Sequence, residues 1–218
     1  MSILILGKYY ECDTTELDLS YNQIIQMPFG LLRLPSEIGK LQQLQKLNLS
    51  DNQLTQIPPE IGQLQQLLVL GFSSNQITQI PPEIGQLQQL QKLYLHNNQI
   101  TQIPFGLLCL PPEIGKLQQL QYLSLYNNQL TQIPPEIGQL QQLQKLYLSC
   151  NQLTQIPFGL LRLPPEIGQL QQLRTLSLSN NQLTQIPPEI GQLQQLRCLD
   201  LSYNQLTQIP PEIGQLQQ

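Results

Sequence analysis

Leucine and isoleucine recur along this chain on a fixed beat. In residues 44–66, LQKLNLSDNQLTQIPPEIGQLQQ, apolar side chains fall at Leu44, Leu47, Leu49, Leu54, Ile57, Ile61 and Leu64. The run begins again at Leu67, Leu90, Leu120, Leu143, Leu173 and Leu196, with a degenerate first copy from Thr14. Successive starts lie 23 residues apart, except after Thr14, Leu90 and Leu143, where the gap is 30. A period of this size marks a solenoid. One unit is too small to bury its own apolar face and must stack on a neighbour.

Each unit divides into two halves. Lys46, Leu47, Asn48, Leu49 and Ser50 alternate, which puts Leu47 and Leu49 on one face of a short strand and the polar residues on the other. Because every strand is followed by the same return path, stacked copies pair in parallel. An asparagine closes the strand in every unit, at Asn22, Asn52, Asn75, Asn98, Asn128, Asn151, Asn181 and Asn204. An amide both donates and accepts, so this column suits a buried turn whose backbone groups need partners. The second half, Ile57-Pro58-Pro59-Glu60-Ile61-Gly62, predicts a one- or two-turn helix or a 3₁₀ segment. Proline fits a first helical turn and a carboxylate there meets the positive end of the dipole. The matching glutamates, from Glu37 and Glu60 to Glu212, are expected to form a solvent-exposed ladder on the outer side.

The pattern LxxLxLxxNxL followed by xxIPxxIxxLxx resembles the leucine-rich repeat family, over residues 14–218 and at all eight asparagines. The 23-residue IPPEIG form is similar to the intracellular subclass seen in Ras-group-related, bacterial and Roco-type repeat domains. The resemblance implies an α/β leucine-rich-repeat solenoid. Its parallel sheet would line a concave face, with short helices, 3₁₀ turns and loops on the convex face. It also implies that the concave face binds other proteins, and it carries no catalytic residue across.

Residues 1–13 stand outside the repeat. Ile3, Leu4 and Ile5 are strand-prone, and the segment is expected to cap the first unit, because terminal repeats expose an apolar end. Residues 14–218 then form eight units. Three carry a seven-residue apolar insert, at 29–35, 105–111 and 158–164, headed by Phe29, Phe105 and Phe158. These inserts either tuck their Phe and Leu side chains into a thickened convex core or present an apolar knob to a partner. The eighth unit is expected to leave its apolar layer open on one side. That makes the chain either a fragment of a longer protein or one that self-associates through this end.

The 218 residues carry a net charge of −4 with only 11% charged side chains, so the electrostatic footprint of a nucleic-acid binder is missing. Cys12, Cys109, Cys150 and Cys198 show no paired spacing, which favours a reducing, cytoplasmic compartment. No apolar run is long enough for a membrane span. Asn48-Leu49-Ser50 matches a glycosylation triplet, but inside a predicted strand we read it as coincidence.

Candidate chemistry narrows quickly. His96 is the lone histidine. Cys150 lies two units away from it, roughly 10 Å at a strand spacing of about 4.8 Å, which is beyond the reach a base needs. Scattered Cys and carboxylate positions give no metal set, and neither a phosphate-binding loop nor a hydrolase motif occurs. We therefore expect no enzyme, no metal and no cofactor. What stands out is aromatic: Tyr94, Tyr122, Tyr126 and Tyr147 fall on three successive strands, with His96 among them. Such rings offer either a rigid contact patch for a partner or ordinary cross-strand stacking. Gly71, one strand earlier, would leave a notch beside Tyr94 with Val69 as its apolar wall. The expected function is a protein-interaction module taking a protein or peptide on the concave face. A sensor segment of a larger signalling protein such as a Roco-type GTPase, or a consensus-like scaffold with no evolved ligand, are the other readings.

Overall fold

The structure, a computed structural model, describes residues 2–5, 8–21, 34–101, 110–153 and 163–216. Eight three-residue strands pair in parallel in simple chain order: β3 (Glu16–Asp18), β4 (Lys46–Asn48), β5 (Val69–Gly71), β6 (Lys92–Tyr94), β7 (Tyr122–Ser124), β8 (Lys145–Tyr147), β9 (Thr175–Ser177) and β10 (Cys198–Asp200). Each return path carries a five-residue 3₁₀ helix, such as Pro59–Gln63 or Pro135–Gln139, with proline at its start in all but the first, Ser36–Lys40. The result is an α/β solenoid with a parallel sheet on one side and 3₁₀ helices on the other, the architecture that the repeat pattern implies.

The register shows why the period governs the fold. Leu17, Leu47, Leu70, Leu93, Leu123, Leu146, Leu176 and Leu199 pair directly, one per strand. Leu47 through Leu176 are all at most 1% exposed, in a core that runs without interruption from Ile3 to Leu196. That core is built layer by layer, each pair of neighbouring units burying its own share.

The asparagine column is a hydrogen-bond ladder. Asn98 Nδ2 donates to Phe72 O in the unit before (2.9 Å) and to Leu95 O in its own (3.0 Å), while its Oδ1 accepts from Ile77 N (3.0 Å). Asn75, Asn128, Asn151 and Asn181 repeat the pattern and are likewise buried. Just before each asparagine the backbone is left-handed, with φ of 52–56° at Tyr21, Asp51, Ser74, Asn97, Asn127, Cys150, Asn180 and Tyr203. Half of these are Asn or Asp, the non-glycine residues that tolerate that region best.

On the convex side the 3₁₀ helices stack closely. A Cβ on Gly138 would lie 2.6 Å from Glu166 O and 2.8 Å from Gln169 Oε1, so only glycine fits. The glutamates of this side are half-buried rather than exposed, and those from Glu60 to Glu212 each lie against the glycine of the unit before. One glutamine column is structural too: Gln88, Gln118, Gln141 and Gln171 each donate to the glycine carbonyl three residues earlier, at 2.6–2.8 Å.

At the N-terminus, β1 (Ser2–Ile5) and β2 (Lys8–Glu11) form an antiparallel hairpin against the first 3₁₀ helix (Ser36–Lys40). It buries Ile3 and Ile5. In the eighth unit Leu199, Leu201, Leu206, Ile213 and Leu216 are only partly buried, whereas the matching residues of the seventh are buried. The inserts at 29–35, 105–111 and 158–164, with Phe29, Phe105 and Phe158, lie outside the described residues except for their last two positions. There Leu34, Leu110 and Leu163 are buried. Among the described residues no helix is long and apolar enough to cross a membrane.

Candidate functional site

Alternation along each strand sends Leu inward and its two neighbours onto the concave face. Row by row, this face reads Lys46, Val69, Lys92, Tyr122, Lys145 and Thr175 at the strand starts. Asn48, Gly71, Tyr94, Ser124, Tyr147 and Ser177 stand two residues further on. Tyr122 is paired directly between Lys92 and Lys145, and Ser124 between Tyr94 and Tyr147.

Because Ser124 is small, the tyrosines on either side lean across it toward Tyr122. The Tyr94 and Tyr122 ring centroids are 4.9 Å apart at 40°, and Tyr122 and Tyr147 are 5.4 Å apart at 43°. A second pair lies one step along the strands, where His96 stacks on Tyr126 at 4.4 Å and 11°. All five rings are half-buried, against one another rather than in the leucine core. The patch is therefore less open than side-chain alternation alone implies, and its rings pack on one another. Burial pushes the Tyr122 hydroxyl up, with Tyr147 and Tyr94 adding to it.

His96 anchors the junction. Its Nδ1 lies 3.0 Å from Ser73 Oγ and 3.2 Å from Ser124 Oγ, both buried hydroxyls. Burial lowers its basicity below the ordinary imidazole range, and the Asp51 carboxylate partly opposes that. Sequence reasoning placed His96 on this face but missed the serine contacts. The signal was present, since Ser73 lies just past β5 and Ser124 on β7, the strands paired on either side of β6.

Toward the N-terminus the rings give way to a depression of about 450 Å³ reaching from β3 to β6, bordered by Asp18, Asp51, Val69 and Tyr94. Gly71 forms its floor, but the notch directly beside it is smaller than expected. Asn48 leans over the glycine, its Oδ1 2.9 Å from where a Cβ would stand, held there by the Ser50 amide at 3.1 Å. At the rim Lys46 Nζ meets Glu16 Oε1 at 2.7 Å, both half or more exposed. Asp18 accepts from the Ser20 hydroxyl at 2.6 Å and from its amide at 2.9 Å, and both bonds keep its carboxyl below the usual range.

Among the described residues no group of three His, Cys, Asp or Glu is placed to hold a metal ion. The hydroxyls near His96 are shielded from solvent.

The sequence matches a leucine-rich repeat region model over residues 19–99, a single leucine-rich repeat over 89–117, and a two-copy model over 118–160 and 171–213. No curated protein matches it significantly. Among solved structures, a leucine-rich-repeat protein of Leptospira interrogans is 46% identical with a TM-score of 0.74, covering 84% of this chain and 43% of its own. The ectodomain of the Arabidopsis receptor kinase HAESA, solved with an N-terminally extended IDA peptide hormone, is 34% identical with a TM-score of 0.69. There the match covers 84% of this chain and 30% of the receptor's. An internalin of Listeria monocytogenes is 27% identical, with a TM-score of 0.64 over 86% of this chain and 49% of its own. The chain thus spans less than half the length of each. Repeat models that between them run over most of the sequence, and a stacked sheet with its asparagine ladder, make this chain a member of the leucine-rich repeat family.

Proposed function

We propose that the chain is a protein-interaction module whose concave strand face takes a protein or peptide, with the contact centred on Tyr94, Tyr122, Tyr126 and Tyr147. The observation that carries this reading is the pre-packed ring array spread over three adjacent strands. Rings already held by one another lose little freedom on binding, and tyrosine is among the residue types enriched where interface energy concentrates. His96 fixes one end of the array, while Val69 and Gly71 border the depression beside it. HAESA, a family relative by fold, is solved with a peptide hormone bound, which supports a peptide-sized partner. The three described cysteines, Cys12, Cys150 and Cys198, are unpaired, two of them exposed, and this supports a cytoplasmic setting. The reading involves no catalysis, nucleic acid or membrane.

Peptides selected from a random display library on the immobilised chain provide the test. Tyr122→Ala is expected to weaken the selected peptide by about 2 kcal/mol or more, roughly 30-fold. Thr175→Ala, on the same row two strands away, should leave affinity within about twofold. Equal losses from both variants would remove the tyrosine array as the contact. A second reading, a sensor segment of a larger signalling protein, is supported by the fact that the chain spans 30–49% of its structural matches. A phosphate-binding loop in the reading frame downstream of Gln218 would favour it.

A further inference from the structure

The depression between β3 and β6 differs in character from the ring array beside it. Of its charged groups, Glu16 and Lys46 bind each other at 2.7 Å, and Lys46 is the one lysine or arginine in the lining. Asp18 and Asp51 remain, so the cavity carries two uncompensated carboxylates. Its other walls are the Tyr94 ring and the Val69 side chain, and Asn48 offers an amide on the floor above Gly71. His96 at the far wall is disfavoured as a cation by its burial, which the Asp51 carboxylate partly opposes. An apolar wall, an aromatic face and two carboxylates within one concave space suit a single kind of side chain. A long aliphatic stem would lie on Val69, a planar cation would face Tyr94, and several N–H donors would point at oxygen acceptors.

We infer that this depression takes the guanidinium of an arginine carried by the peptide partner, next to the segment that lies on the tyrosines. The inference rests on the concave-face reading and adds to it a charged anchor. Asp51 and Asp18 would accept from the guanidinium, and Tyr94 would serve both subsites, one face toward Tyr122 and the other toward the depression. Arginine is preferred over lysine because its flat head can stack and donate at once, whereas an ammonium is a hydrated point charge.

Nα-acetyl-arginine amide and its citrulline counterpart, which keeps the shape and loses the charge, are titrated into ¹⁵N-labelled protein. Saturable shifts at the Asp51, Gly71 and Ser73 amides with arginine, absent with citrulline, are the expected result. Asp51→Asn should weaken the effect at least tenfold; asparagine tolerates the left-handed backbone at this position (φ 56°), so the fold is retained. Equal shifts with citrulline, no saturable shift with arginine, or indifference to Asp51→Asn would overturn the assignment. A library-selected peptide separates the two levels. If Tyr122→Ala weakens it and Asp51→Asn does not, the arginine subsite falls and the concave-face reading stands. If neither variant matters, the concave-face reading itself fails.

Discussion

Asn98→Ala isolates the device that joins one unit to the next. Asn98 is 8% exposed, and its three main bonds reach Phe72 O, Leu95 O and Ile77 N at 2.9, 3.0 and 3.0 Å. The losses are unequal. Phe72 O still accepts from Asn75 Nδ2 at 3.0 Å, and Leu95 O from Asn128 Nδ2 at 3.0 Å, so each carbonyl keeps a partner. The Ile77 amide loses the acceptor that serves it. An orphaned buried donor costs about 1–3 kcal/mol, and two lost carbonyl bonds add about 0.5–1.5 kcal/mol each. The sum is about 2–6 kcal/mol, a large share of a marginal total stability. Asn98→Asp is expected to be no milder at neutral pH, because a carboxylate would then face two carbonyl oxygens. Urea unfolding followed by circular dichroism measures the loss, and amide exchange at Ile77 locates it. Gln99→Ala, one residue on and exposed, should stay within about 0.5 kcal/mol. If Asn98→Ala costs under about 1 kcal/mol, or if Asn98→Asp is tolerated, the ladder does not couple the units as described.

Three further outcomes are expected. Gly138→Ala should destabilise by about 1–3 kcal/mol through its clash with Glu166 O, whereas Gly214→Ala, with nothing within 4 Å, should be neutral or stabilise by up to about 1 kcal/mol; paired thermal melts decide this. Because burial holds His96 below its unfolded value, the unfolded chain binds the proton more readily. Stability from this site is therefore full above about pH 6.5 and falls as pH drops from there toward the lowered value. Asp18 and Asp200, also held low, lose theirs only in the acid range below the ordinary carboxylate value. His96→Gln should flatten the melting profile between neutrality and mild acid, and an unchanged profile would count against the burial of the imidazole. The partly exposed leucines of the eighth unit should make the 218-residue chain associate end to end, so light scattering should show mass rising with concentration; a constant monomer mass would contradict this.

The fold was legible because the sequence repeats it. Leu47 and Leu49 alternate, Asn52 closes the turn, Pro59 opens the return, and stacking leaves one way to bury them. Less legible was anything that depends on the distance between units. That Gly62 and Gly138 are needed for helix-to-helix contact, or that Gln88 and Gln118 close the 3₁₀ turns, requires knowing how closely the convex side packs. The left-handed column was partly visible in Asp51, Asn97, Asn127 and Asn180, and hidden where Ser74, Cys150 or Tyr203 stands instead. For the site, alternation placed the tyrosines on the correct face. It could not reveal that small Ser124 lets Tyr94 and Tyr147 lean in and half-bury Tyr122, nor that Asn48 would reach across to cover Gly71.

The chain holds eight tyrosines, which permits a direct reading of where a partner sits. Protein labelled with ¹³C in the tyrosine rings gives signals from Tyr94, Tyr122, Tyr126 and Tyr147 on the central strands. Tyr9 and Tyr10 report from the hairpin, and Tyr21 and Tyr203 from the two ends of the sheet. Titration with a library-selected peptide should move the four central ring signals together and leave Tyr9, Tyr10 and Tyr203 in place. Binding that leaves the central rings unmoved, or that shifts the hairpin tyrosines instead, would contradict a concave-face function.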